Sequence, residues 1–282
     1  MEEYIKKATI LLEALPYIQK FTSKTFVIKF GGSIAADKAL MESFIRDIIL
    51  LKLIGINIII VHGGGKDIDV LLNKLDMCIK FHEGYRLTDK DTMEVVEMVL
   101  SGKINKNLVA LINKFGGQAC GLSGKDGNLI SAGRVSGGKV DLGFVGEVKS
   151  INKKILLALD PSFIPVIAPV SMDEEGNTLN VNADFAASAI AAELEAEKLI
   201  ILSDKDGLLN VENNLIPSTT VADIKNMIRE GIIYGGMIPK TNSCIDAVRK
   251  GVKKVHIING SVPHAVLLEI FTEKGIGTQI TD

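Results

Sequence analysis

Two lysines, one aspartate and a series of glycine turns carry the chemistry that this sequence offers. Lys29 interrupts the apolar run Thr25-Phe-Val-Ile-Lys-Phe30 and stands two residues before Gly31-Gly32-Ser33. A buried ammonium group is costly unless it meets an anion, and paired glycines let a ligand reach backbone amides that donate to phosphate oxygens. The stretch reads as a phosphate cradle with its own cation; an edge-strand lysine reaching solvent before an ordinary turn is the alternative. A second turn, His62-Gly63-Gly64-Gly65, follows Ile56-Asn-Ile-Ile-Ile-Val61 and leads into a helical pattern. Glycines between a strand and a helix N-terminus form an anion site of free amides and favourable dipole. Further on stand Arg86, then Asn180, Asn182 and Asp184 at alternate positions, then Gly235-Gly236 shortly before Lys240. Arg86 is either a surface residue or a fork for a carboxylate. An extended backbone turns residues 180, 182 and 184 to one side, whereas helix capping needs only Asn182 or Asp184.

The elements that must position these residues alternate strand and helix. Strands are expected at 25–30, 56–61, 163–168, 198–203 and 254–258. Helices are expected at 37–53, 67–75, up to Leu100 from a cap at Thr88 or Asp89, 185–194, 240–249 and 264–271. Nearly continuous apolar strands joined through helices imply a parallel sheet covered on both faces, with right-handed crossovers. Ligands of such sheets bind at the carboxyl ends of the strands, where the glycine turns fall. Residues 118–150 change to short apolar runs broken by glycines and read as hairpins and a lid over the site. Ahead of the first strand, Ile5, Ala8, Leu12, Leu15 and Ile18 mark an apolar helical stripe over 4–21, which Pro16 is expected to kink or split. Its partner is either the core or another subunit.

Composition narrows the function classes. The 282 residues can bury a sizeable core, and a net charge of −2 argues against a nucleic-acid binder. Cys78, Cys120 and Cys244 lack metal-ligand spacing, Met1-Glu-Glu-Tyr4 lacks a basic leader, and no apolar run approaches the roughly 20 residues of a membrane span. A cytoplasmic protein is expected. Gly124-Lys125 is followed by Asp126, and position 119 is alanine, so there is no P-loop. Dinucleotide, serine-hydrolase and zinc-protease signatures are also missing.

As an ordered set, Lys29-Phe-Gly-Gly32, His62-Gly-Gly-Gly65, Gly84-x-Arg86-x-Thr88, Asn180-x-Asn-x-Asp184, Ser203-Asp204-x-x-Gly207 and Gly235-Gly-Met-x-x-Lys240 resemble the amino acid kinase family over nearly the whole chain. The resemblance implies a three-layer αβα sandwich around a mainly parallel sheet. It divides the chain into an oligomerisation helix (1–22), an acyl-amino-acid lobe (23–175) and an ATP lobe (176–282). Within the family, the set is similar to members that phosphorylate the side-chain carboxylate of N-acetyl-L-glutamate; a carbamate or aspartate kinase, or a non-catalytic sensor on the same fold, is the alternative.

The resemblance implies that Lys29 and Lys240 bracket the transferred phosphoryl group, with Asp184 holding both ammonium groups and keeping them protonated. Gly64 and Gly65 would bind the reacting carboxylate, and Arg86 and Asn180 the α-carboxylate and its surroundings. Gly31, Gly32, Ser203, Asp204, Gly207, Gly235 and Gly236 would contact ATP, whose Mg²⁺ is held mainly by phosphates, with no protein metal ligand assigned. His62 is expected to be structural. Members with an N-terminal helix form hexamers, as trimers of dimers, inhibited by L-arginine. That implies an allosteric group drawn from Tyr17, His264, Glu269, Glu273, Gly275 and Gly277.

Overall fold

The computed structural model describes residues 1–31, 37–136 and 140–282, except for the side chains of Glu3 and Lys7. In chain order, helix α1 (Glu2–Phe21) leads into β1 (Thr25–Phe30), α2 (Lys38–Leu53), β2 (Asn57–His62) and α3 (Gly65–Lys74). A short hairpin, β3 (Phe81–His82) and β4 (Tyr85–Arg86), precedes α4 (Lys90–Glu97). Asp89 caps α4 by accepting from the Thr92 amide at 2.8 Å. The helix does not end near Leu100: it widens into a π-helical segment, Met98–Ile104, and continues as α5 (Asn105–Lys114). Then come β5 (Ala119–Ser123), β6 (Ile130–Arg134), β7 (Val145–Ile151), α6 (Lys154–Ala158), β8 (Ile164–Ala168), β9 (Val170–Met172), β10 (Thr178–Val181) and α7 (Ala183–Glu193). The chain closes with β11 (Lys198–Ser203), β12 (Ser218–Thr220), α8 (Val221–Arg229), α9 (Met237–Arg249), β13 (Lys254–Asn259), α10 (Ala265–Phe271) and β14 (Thr278–Thr281).

Eight strands form one sheet in the order β12-β14-β13-β11-β1-β2-β8-β5. Every pairing is parallel except β13 with β14. Alternation along each strand divides the core between two helical layers. Phe26, Ile28, Phe30, Ile58, Ile60, Ile200 and Leu202 pack with residues of α2–α5 and α10. Val27, Ile59, Val61, Leu199 and Ile201 pack with residues of α7, α8 and α9. Lys29 shares the Val27 face, because the period of a strand is two. It is therefore turned toward α7 and α9.

Two expectations need correction. α1 runs unbroken through Pro16, so the helix is not split. The missing proline N–H removes one bond to the preceding turn, and the element continues on either side of it. The segment 118–150 is only partly a hairpin: β5 is an edge strand of the large sheet, paired with β8. β6 and β7 do form a hairpin, which joins β9 and β10 in a small closed barrel. The polar turn at 173–177 connects β9 to β10 inside that barrel.

Candidate active site

β1 is flanked by β2 and β11, so three carboxyl ends lie side by side: Gly31 after β1, Gly63–Gly65 after β2, and Ser203-Asp204 after β11. Helix N-termini meet them. Gly64 is the N-cap of α3 and Gly236 that of α9. Asn182 caps α7, accepting from the Asp184 amide at 2.8 Å, which decides between the two capping candidates. Asp184 falls in the first turn of α7, where the helix dipole favours a carboxylate.

Asp184 bridges the two lysines. Its Oδ1 is 2.8 Å from Lys29 Nζ and its Oδ2 is 3.0 Å from Lys240 Nζ. One cation comes from the sheet and one from the start of α9, and all three side chains are only about an eighth exposed (12%, 12% and 13%). Burial works against charge on Asp184, but two adjacent ammonium groups outweigh it and pull the carboxyl down to about 2. Lys29 is equally buried, with the Asp184 and, more weakly, Asp204 carboxylates in its favour and Lys240 against it. Its pKa ends below the usual lysine value despite the pull of Asp184 and Asp204. Asp184 thus offsets, without cancelling, the tendency of Lys29 to lose its proton.

Beside this centre lies a cavity of about 190 Å³ lined by Gly63, Gly64, Gly65, Arg86, Asn180 and Asn182, among others. Barrel residues Val145, Asn180 and Val181 form one wall, and the hairpin tip Gly84–Arg86 another. Gly64 has no room for a side chain: a Cβ there would sit 2.2 Å from Ile104 Cδ1 and 2.7 Å from Leu100 Cδ2, both from the π-helical segment. Arg86 is buried, with Nη1 2.6 Å from Asp69 Oδ1 and Nη2 donating to the Gly65 carbonyl at 3.2 Å. Its guanidinium also stacks 4.7 Å over Phe81. Asn180 Nδ2 is 3.3 Å from Thr88 Oγ1, which in turn donates to the Arg86 carbonyl. Asn180, Thr88 and Arg86 therefore hold one another in register.

The structure brings most of the expected site residues together. Ser203 Oγ lies 3.4 Å from Asp204 Oδ1 at the end of β11. Gly31 is close to Lys29, and Gly235 and Gly236 have open space around them. Gly32 lies outside the described residues. At Gly207 a Cβ would sit 2.5 Å from Thr278 Oγ1, so this turn packs closely against β14. Asp69 and Thr88 were not singled out as site residues. Asp69 follows Gly65 by one helical turn, which puts it on the same face of α3, the available signal.

Of the expected allosteric residues, Tyr17, Glu269, Glu273, Gly275 and Gly277 line one cavity of about 820 Å³ at the amino ends of β11 and β13. His264 is not among them. Its Nδ1 pairs with buried Asp47 of α2 at 2.6 Å. Lys198 and His256, which sequence reasoning missed, line the cavity instead.

Residues 24–259 match the model of the amino acid kinase family. The chain is 52% identical to an acetylglutamate kinase of Sulfurihydrogenibium sp. and 51% identical to one of Aquifex aeolicus, with essentially all of each chain aligned. Among solved structures, it superposes on an N-acetylglutamate synthase from Neisseria gonorrhoeae with a TM-score of 0.87 at 24% identity, spanning 98% of this chain and 63% of that one. A carbamate kinase from Giardia lamblia gives a TM-score of 0.63 at 17% identity, over 92% and 99%. With a match across most of its length, the chain belongs to the amino acid kinase family.

Proposed function

We propose that the protein transfers a phosphoryl group from ATP to the side-chain carboxylate of N-acetyl-L-glutamate, giving N-acetyl-L-glutamyl 5-phosphate, the second step of arginine biosynthesis. The observation that carries the reading is the Lys29–Asp184–Lys240 bridge beside the cavity of Gly64, Gly65 and Arg86. A loose phosphoryl transition state spreads charge over oxygens, and fixed cations are the natural device to stabilise it. Asp184 keeps the two ammonium groups apart on separate oxygens, so they approach the transferred group from different sides. The amides of Gly64 and Gly65 hold the acceptor carboxylate, while Arg86, braced by Asp69, and Asn180 orient its far end.

No general base is required. A glutamate-type carboxylic acid with a pKa of about 4.3 is protonated in only roughly one molecule in five hundred near pH 7. ATP is held at Gly31, Ser203, Asp204, Gly235 and Gly236, where glycine backbone and the β11 end adjoin the lysines. Mg²⁺ is carried mainly by the nucleotide phosphates and water. Bound there, the metal neutralises phosphate charge. ADP release measured with N-acetyl-L-glutamate, carbamate and L-aspartate tests the reading: release should require the acetylated substrate, and preference for either of the others would contradict it.

Arginine inhibition and a hexameric assembly complete the proposal. On α1, Tyr4, Ile5, Leu11, Leu12 and Leu15 are all exposed, a stripe that a second copy of the helix would cover. The cavity at Tyr17 offers Glu273 at its rim for a guanidinium. Glu269 is already engaged by His256, at 2.6 Å, and by the amides of Ile276 and Gly277. A cytoplasmic location accords with three unpaired cysteines.

A further inference from the structure

Behind the glycine turn of β2 stands a side chain that the proposed reaction leaves unused. His62 is fully buried. Its Nε2 lies 3.2 Å from Asn105 Nδ2, and its Nδ1 lies 3.2 Å from the Gly63 carbonyl oxygen. The orientation of the Asn105 amide is forced. Nδ2 also donates to the carbonyls of Val166 at 2.8 Å and Leu122 at 3.1 Å, and the reverse orientation would set an oxygen against both. Its two hydrogens serve three acceptors, so one is shared. An amide nitrogen cannot accept; His62 Nε2 must therefore be the acceptor, and the ring proton resides on Nδ1. That proton is donated to the Gly63 carbonyl. Burial pushes the ring down to about 4, so the imidazole is neutral near pH 7.

The Gly63 carbonyl and the Gly64 amide share one planar trans peptide, in which C=O and N–H point in opposite directions. Holding the carbonyl from behind fixes the amide in front. A peptide between two glycines has little else to restrain its rotation. Asn105 is placed for this task by the π-helical segment, whose Leu100 and Ile104 close over Gly64 from the other side. We propose that His62, locked by Asn105 with its proton on Nδ1, is a positioning residue that aims the Gly64 amide at the acceptor carboxylate. The proposal deepens the reading given above and rests on it.

Two substitutions separate clamping from bulk. Asparagine can bring its amide nitrogen to where Nδ1 stands and keep the bond to Gly63; glutamine reaches only the Nε2 position and loses it. His62→Gln should lower kcat with N-acetyl-L-glutamate by about 10²-fold while the KM for ATP holds, the scale expected of a reacting group misplaced by an ångström. His62→Asn should recover about tenfold of that loss. Equal losses in the two variants, both folded by circular dichroism, or a parallel rise in the KM for ATP, would overturn the proposal. If the unmutated protein does not phosphorylate N-acetyl-L-glutamate, the functional reading fails by itself. The clamp is then judged by ¹⁵N spectra of histidine-labelled, unmutated protein, which should show a pyrrole-like Nδ1 and a pyridine-like Nε2 for His62. The reverse assignment rules the clamp out even where neither variant folds.

Discussion

The two ends of the sheet's strands hold similar groups in different surroundings. At the carboxyl ends of β1 and β11, Asp184 is bracketed by Lys29 and Lys240. At the other end of β11, Glu269 pairs with His256, whose far nitrogen is 3.0 Å from Lys198 Nζ. Each is a buried carboxylate beside basic groups. The surrounding helices differ. Three helix N-termini, those of α3, α7 and α9, converge on Asp184, whereas the cavity beside Glu269 is lined by the last turns of α1 and α10, at Tyr17, Lys20, Phe21 and Ile270. In a parallel sheet the helix dipoles share a direction, so helix N-termini favour anions at the carboxyl ends of the strands and helix C-termini favour cations at the amino ends. Burial lowers the Lys198 pKa to about 8 and also lowers that of His256, so the second cluster sheds positive charge more readily than free side chains would. The same residue types thus sit among helix N-termini at one end of the strands and beside helix C-termini at the other.

The comparison breaks most visibly at the lysines. Lys29→Ala and Lys240→Ala should each reduce kcat by about 10²–10³-fold, by analogy with removal of one oxyanion donor. Steady-state kinetics in both substrates reads the loss, and near-normal turnover in either variant removes that lysine from the mechanism. Changes at Lys198 should leave uninhibited turnover far less affected.

Asp184→Asn sharpens the electrostatic half. Without the carboxylate, Lys29 loses the stronger of the two anions that raise its pKa, while burial and Lys240 still lower it. The alkaline fall of kcat should therefore move to lower pH than in the unmutated protein. The wild-type carboxyl, depressed from 3.8 to about 2, contributes stability that is present above its unfolded pKa and lost as pH falls through that interval. Urea midpoints of the two proteins compared across pH 2–5 should converge at the acid end; a constant gap would contradict the assignment.

Those two effects concern residues that the sequence made legible. Lys29, the glycine turns and Asp184 announce themselves through local pattern: a charge in an apolar run, glycines at its end, polar residues at alternate positions. What was not legible depends on contacts between distant parts of the chain. Asp47 meets His264 across 217 positions, and Lys198 meets His256 across 58. Residues 118–150, which hold β6 and β7, read as hairpins and a lid, and nothing in short glycine-rich strands marks their closure with β9 and β10 into a barrel. The π-helical widening at Met98–Ile104 has no local signature in the sequence, so the pattern predicts a stop near Leu100.

Arg86→Lys probes the anion end more gently. A lysine keeps the charge but cannot hold Asp69 and the Gly65 carbonyl at once. The KM for N-acetyl-L-glutamate should rise about tenfold with the KM for ATP unchanged, and a shift in the ATP constant instead would break the division of the two subsites. The smallest effect on turnover is expected from removing residues 1–20. This deletes Tyr17 and the exposed stripe of α1 but nothing at Asp184, so the product should be a smaller, active assembly indifferent to millimolar L-arginine. Light scattering and inhibition curves check both halves. An intact protein that is dimeric, or insensitive to arginine, would contradict the regulatory reading while leaving the kinase reading in place.

The central claim is that paired lysines on Asp184 drive phosphoryl transfer to a carboxylate that needs no base. Trapping the product with hydroxylamine tests it most directly, because an acyl phosphate is converted to a hydroxamate while a phosphate ester is not. The account predicts one hydroxamate for each ADP released, formed only with N-acetyl-L-glutamate present and nearly abolished in Lys240→Ala. ADP release without hydroxamate, or hydroxamate formation unaffected by that substitution, would contradict it.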